Sequence, residues 1–249
     1  MKKSSISLLV LLALVFSGCT TNTKKKKSSK EGASVSQTSE NPTSSQTSES
    51  GTSVNPTSVT PGTEFTVTVE TSGSKFVNET GYKGDGGIEL DSSNLSEADE
   101  IETLRSYLDT NCGVTGCVSS LICTSVYIQP ITRGGSTSLT VTLGTKKRSA
   151  SLTINSSFDI VKVEAMCSPY FNYYESQGEG QWVFDDNAEV YINGERNVLT
   201  KPATEAEPES QKVSYTPASP VEQIVLSNGG DSLTPNRIYI ESLTITFKQ

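Results

Sequence analysis

The 249-residue sequence contains no histidine at all. This absence excludes Ser-His-Asp triads, Cys-His pairs and HExxH zinc sites, because each of them needs an imidazole. Aromatic residues make up only 7% of the chain, and Trp182 is the single tryptophan. Most tyrosines and phenylalanines fall in the second half, so we expect a packed core there.

Positive charge is scarce in the larger part of the chain. Beyond residue 61 there are 13 basic and 25 acidic residues, a net charge of −12. Such a surface repels phosphate backbones. We therefore expect no nucleic-acid partner, whereas neutral ligands, cations and basic proteins remain open.

The first 18 residues have the three parts of a signal peptide. Lys2 and Lys3 precede an apolar run over residues 6–16, which is too short to span a bilayer, and small residues follow. The Ser-Gly-Cys sequence that ends at Cys19 resembles the lipobox of bacterial lipoproteins, although Phe16 stands where leucine is commoner. This resemblance implies acylation of Cys19 and a lipid anchor in the bilayer, on the extracellular face of the cell membrane. The alternative is an ordinary secretory signal with an incidental cysteine.

Residues 19–61 are predicted to form a disordered tether. Lys24–Lys27 would either attract anionic lipid headgroups or keep the tether soluble. The rest is rich in Ser and Thr and repeats SQTSE at residues 36–40 and 45–49, with almost nothing apolar to bury. Residues 62–249 then form one folded domain.

Alternation of apolar and polar residues dominates this domain. Residues 65–69, 139–143, 152–154 and 161–165 are separate examples, and such period-two patterns predict antiparallel strands with one buried face. Asn193-Gly194 predicts a tight hairpin turn with positive φ at both residues. The alternation changes phase in the last strand, which a bulge near Glu241-Ser242 or burial on both faces would explain.

One segment has helical periodicity. Ser96 is the predicted N-cap with Asp99 three residues later, and Ile101, Leu104 and Leu108 would share one face. The predicted fold is therefore all-β, an antiparallel, jelly-roll-like β-sandwich of eight to ten strands with one short helix. We expect it to be a monomer.

Four segments carry a further resemblance: residues 143–154, 158–170, 190–194 and 237–247. They resemble a carboxyl-terminal, galactose-binding-like β-sandwich domain found in surface lipoproteins of low-GC Gram-positive bacteria and mollicutes. The resemblance implies a jelly-roll fold but carries no ligand site with it.

Three acidic residues, Glu97, Asp99 and Glu102, form an ExDxxE motif. The motif resembles the catalytic strand of laminarinase-like retaining glycosidases, in which two carboxylates act as nucleophile and acid. The helical pattern around it and the single tryptophan disfavour that activity. We expect a domain that is not an enzyme, with a glycoside hydrolase as the distant alternative.

A second acidic cluster matches a structural calcium site, and we expect no other cofactor. Asp185, Asp186 and Glu189 supply the oxygen ligands that calcium prefers. A solvated acidic turn is the alternative, since the EF-hand spacing is missing.

Aromatic residues gather around the glycine-bearing segment SQGEGQ. Tyr173, Tyr174 and Trp182, with Asp185 nearby, are the candidate ligand-binding residues, because flat rings with polar tips stack on sugars. The neighbouring rings are Tyr170, Phe171, Phe184 and Tyr191. These residues favour a glycan-binding domain. If half of the rings instead close the core, a structural or protein-binding adhesion module is the alternative.

Four cysteines remain once Cys19 is acylated. An even number in an exported domain permits two disulfides, and we predict Cys112–Cys117, which closes a short loop, and Cys123–Cys167. A zinc site and buried free thiols are the alternatives.

Replacing the acylated residue tests the anchor. Cys19→Ser is expected to release the protein into the medium or to stall it as precursor, because about 0.8 kcal/mol of membrane affinity per buried methylene is lost. Fractionation of cells into membrane and medium measures this. Unchanged membrane retention would contradict acylation.

Overall fold

The computed structural model describes residues 62–83, 87–145, 148–176, 179–184, 188–201, 207–229 and 236–249, with the backbone alone for 172–176 and 179–184. The predicted signal peptide and tether lie outside these residues. The described part is an antiparallel all-β sandwich, so the predicted fold class is confirmed.

The strands of the described residues are β1 Glu64–Glu70, β2 Ile88–Leu90, β3 Ser120–Thr124, β4 Val126–Arg133, β5 Ser136–Leu143, β6 Ser151–Pro169, β7 Phe171–Ser176, β8 Glu179–Phe184, β9 Glu189–Ile192, β10 Glu195–Val198, β11 Gln211–Tyr215, β12 Val221–Asn228 and β13 Ile238–Lys248. The helices are α1 Gly73–Thr80 and α2 Ala98–Asn111, with a 3-10 turn at Leu95–Glu97.

Strand β6 is the centre of the sheet. It is 19 residues long and has partners on both edges. Strands β11 and β12 pair with it in succession, and β13 and β3 are its other partners. The outer strands extend from β12 through β9 to β10, and from β13 through β5 and β4 to β2.

The alternating sequence explains which face is buried. Val67 and Val69 of β1 lie beside Leu243 and Ile245 of β13, and their apolar face meets α2. On the opposite face of the same strands, threonine hydroxyls form exposed pairs such as Thr66 with Thr246, whose oxygens are 2.9 Å apart. One core therefore lies under the helices while a polar face meets water.

Two local sequence predictions are confirmed. Asn193 and Gly194 have φ values of 49° and 83° and close the β9–β10 hairpin. The register of β13 shifts between Ile240 and Ser242, so a bulge at Glu241 changes the phase. Because of this bulge, Ile238 and Ile240 before it and Leu243 after it are all buried.

The helix α2 is confirmed, but its predicted cap is wrong. Leu104 and Leu108 are buried and Ile101 packs against the core. Asn94 caps the 3-10 turn, because its Oδ1 accepts from the N–H of Ser96 at 3.2 Å, whereas α2 itself begins after Glu97 without a side-chain cap. The preceding 3-10 turn moves the start of the helix, so Ser96 lies inside the turn.

Two features differ from the sequence prediction. The apolar runs at residues 152–154 and 161–165 belong to one strand, β6, not two. A second helix, α1, was not predicted, because Phe76 is its single buried residue and gives no periodic signal.

The final strand offers a test of the core. Phe247 is fully buried and stacks on Phe65 with ring centroids 5.4 Å apart. Phe247→Ala is expected to lower the free energy of unfolding by about 3–5 kcal/mol. Thr246→Ala, on the exposed face, should change it by less than about 1 kcal/mol. Urea unfolding measures both, and equal effects would contradict the assigned faces.

Candidate ligand-binding site

The predicted ligand-binding rings lie on a separate two-stranded ribbon formed by β7 and β8. Among the described residues, these strands pair only with each other. Tyr173 is directly opposite Trp182, and Tyr174 is opposite Gln181. Since directly opposed residues share a face and successive residues alternate, the register brings Tyr173 and Trp182 together and places Tyr174 on the other face. Their side chains and Asp185 lie outside the described residues.

An aromatic cluster supports the base of this ribbon. Phe171 and Tyr239 are buried, with ring centroids 5.5 Å apart, and Tyr170 lies 5.3 Å from Tyr239. The guanidinium carbon of Arg133 lies 4.7 Å from the centre of the Phe171 ring, and that of Arg237 lies 3.3 Å from the centre of the Tyr170 ring. Phe171 and Tyr170 thus each have one guanidinium group over the ring, which stabilises the cluster.

Arg133 also joins three segments by polar contacts. Its Nη2 donates to Ser168 at 2.9 Å and forms an ion pair with Glu241, the residue at the bulge of β13. Its Nη1 donates to the carbonyl of Pro208 and to Glu207. Ser168 in turn donates to Glu241 at 2.9 Å. These contacts fix the end of β6 directly before the ribbon starts.

Several of the predicted rings have structural roles. Phe171 is buried in the cluster at the base, and Tyr170 is half-buried. Tyr191 belongs to β9, where its hydroxyl donates to Glu189 at 2.9 Å. Sequence reasoning identified these rings but missed Arg133 and Arg237, since no local pattern links either arginine to a ring distant in the chain.

The structure describes one of the three predicted calcium ligands, Glu189. Asp185 and Asp186 lie outside the described residues. The carboxylate of Glu189 accepts from Tyr191 and forms an ion pair with Arg196, and this arginine lowers the pKa of Glu189 below its usual value. Within the described ranges, no three side chains of metal-binding type come together.

The four cysteines of the described residues are all buried. Burial raises the pKa of Cys123 to about 12 and that of Cys167 well above its usual value, so neither is reactive. Cys123 is paired with Leu152, and Cys167 lies fifteen residues further along β6. At about 3.3 Å per residue, this separation is far beyond the roughly 7 Å between Cα atoms that a disulfide allows. The predicted Cys123–Cys167 bond is therefore wrong.

The other predicted pair is close in space. The side chains of Cys112 and Cys117 are joined by a hydrogen bond, which together with burial raises the pKa of Cys112. A disulfide between them stays a prediction.

The ExDxxE residues lie on helical backbone, not on a strand. Glu97 belongs to the 3-10 turn and accepts from the N–H of Asp91 at 2.6 Å. Glu102 lies on α2 and forms an ion pair with Arg105 at 2.6 Å, which lowers its pKa. The strand arrangement that the resemblance to glycosidases implies is therefore wrong for these residues.

Comparisons with protein families, with curated proteins and with solved structures found no match for this chain. In the part of the chain that the structure describes, no helix is both long and apolar enough to cross a membrane. Functional inference therefore depends on the geometry of the ribbon and of the surfaces around it.

Replacing Arg133, the cation beside the Phe171 ring, tests the structural role of this arginine. Arg133→Met is expected to lower the free energy of unfolding by about 2–3 kcal/mol, because Glu241 loses its partner in a half-buried setting. Arg196→Met breaks an exposed ion pair with Glu189 and should have a much smaller effect. Chemical denaturation compares the two, and an Arg133 effect no larger than the Arg196 effect would refute the role.

Proposed function

We propose that this chain is a lipid-anchored protein on the extracellular face of the cell membrane, and that its sandwich binds glycan without catalysis. The acylated Cys19 would hold the protein in the bilayer. Residues 19–61 would separate the domain from the membrane. The β7–β8 ribbon would carry the ligand site.

The observation that carries this proposal is the register of the ribbon. Tyr173 and Trp182 are directly opposed, so their Cβ atoms start about 4.5–5.5 Å apart on one face. Two neighbouring flat rings of this kind suit the apolar face of a sugar, and their polar tips suit its hydroxyl groups.

The base of the ribbon supports the same proposal. Binding costs less when the binding surface is ordered beforehand. The contacts of Arg133 with Glu241, Ser168 and the Phe171 ring fix the start of β7 against the core. The rings opposite each other on the ribbon would then meet a ligand with little loss of conformational freedom.

Charge favours an uncharged ligand. The region beyond residue 61 has a net charge of −12, which disfavours phosphate-bearing polymers. A neutral polysaccharide of the cell wall or of a host surface is therefore the proposed ligand class.

The proposal is tested with a glycan array and two variants of the same ribbon. Trp182→Ala should reduce glycan binding at least about tenfold, because a stacking ring is a hot spot. Its melting temperature should move by only about 2 °C, as for an exposed residue. Tyr174→Ala, on the other face, is the matched control and should keep most of the binding.

Two outcomes would contradict the glycan site. If Trp182 is part of the core, its replacement should cost about 3–5 kcal/mol and the domain should melt far earlier. If no glycan on the array binds the unaltered protein, the ligand class is wrong.

A further inference from the structure

A groove lies between the start of α2 and strand β3, in a different part of the chain from the ribbon. It encloses about 290 Å³ and is lined by Leu95, Ile101, Arg105, Ser119 and Leu121, among others. The groove therefore has an apolar side on the helix and a strand edge opposite it.

The edge of β3 has unused hydrogen-bonding groups. Among the described residues, β3 pairs with β6 alone. The N–H of Cys123 donates to the Ser92 hydroxyl at 2.9 Å and its carbonyl accepts from the N–H of Ser92 at 2.8 Å, so both groups point away from β6. Backbone groups alternate along an antiparallel strand, so those of Leu121 point the same way, into the groove. Within the described ranges, the N–H and the C=O of Leu121 form no hydrogen bond with any segment outside β6.

An exposed leucine lies on the helix side of the groove. Leu95 is 89% exposed, the largest value among the exposed large apolar residues of the described chain. Ile101, six residues further along the chain on α2, is only half-buried and also lines the groove. Together they give the groove an apolar wall.

The surroundings of the groove are acidic. Glu102 and Arg105 are the charged residues of the lining, and three more acidic residues, Asp91, Glu97 and Asp99, are adjacent in sequence to the lining residues Ser92 and Ala98. Glu102 already neutralises Arg105 through their ion pair. The remaining charge favours a cationic ligand.

We propose that this groove binds an extended, cationic peptide segment of a partner protein. The segment would pair with β3 through the backbone groups of Leu121, in the manner of strand addition to a free sheet edge. One of its apolar side chains would contact Leu95 and Ile101, and flanking lysine or arginine would face the acidic residues. This site goes beyond the glycan site on the ribbon and uses none of its residues.

The test uses the soluble Cys19→Ser chain and the blocked peptide acetyl-Lys-Thr-Val-Thr-Lys-amide. Titration followed by amide NMR should give a saturable shift at Leu121. A second peptide with N-methyl groups on its three central amides lacks the donors for strand pairing, and it should bind at least about tenfold more weakly. A third peptide with Asp in place of Lys should also bind more weakly, because it meets like charge.

Two matched variants locate the apolar contact. Leu95→Ser should weaken binding of the first peptide about tenfold, as for a buried contact in a small interface. Val198→Ser replaces another exposed apolar residue, 59% exposed and on β10, and should leave binding unchanged. Neither variant should change glycan binding.

Three results would overturn the proposal. They are the lack of a shift at Leu121 at millimolar peptide, equal binding of the methylated peptide, and equal effects of the Leu95 and Val198 replacements. Loss of glycan binding by Trp182→Ala would not bear on this groove, so the two proposals fail independently.

Discussion

The fold depends on the hydrogen bonding of β6 along both of its edges. Ser151–Pro169 pairs with β11 and β12 as well as with β13 and β3, so four strands take their register from one. A strand fixed on both edges cannot slip without breaking every ladder at once. Its last residue, Pro169, is followed after one residue by β7. The ribbon with the candidate rings is therefore the direct continuation of the most constrained strand in the domain.

The two candidate surfaces follow from where this pairing ends. At the end of β6, Arg133 and Glu241 tie β4 and the bulge of β13 to the start of the ribbon. At its beginning, β3 pairs with β6 alone among the described residues and leaves the backbone of Leu121 facing the groove beside α2. The helix covers the core near this edge but leaves Leu95 exposed. We propose flat, uncharged ligands for the first surface and an extended cationic chain for the second.

Short-range features could be predicted from the sequence because their causes are local. Alternation predicted the buried face of β1, the Asn193-Gly194 pair predicted a hairpin, and the phase change in β13 indicated its bulge. In β5, alternation predicted the strand but not its burial, because Thr140 and Thr142, on the face expected to meet water, are buried as well. Features that depend on distant partners could not be predicted. Nothing near Arg133 indicates Phe171 or Glu241. The predicted cap at Ser96 was wrong because a 3-10 turn, capped by Asn94, precedes α2. The predicted Cys123–Cys167 bond was wrong because two separately predicted strands are one long strand.

For the candidate site, the sequence identified the rings, but only the strand register separates Tyr174 from Tyr173 and Trp182.

The central claim is that the ribbon presents Trp182 to a glycan. Because Trp182 is the only tryptophan, its fluorescence in the unaltered protein reports on this position alone, and acrylamide quenching measures its exposure. The account predicts that acrylamide quenches the ring readily in the free protein and that solubilised cell-wall polysaccharide protects it in a saturable manner. A ring already shielded in the free protein, with no response to the polysaccharide, would contradict the account.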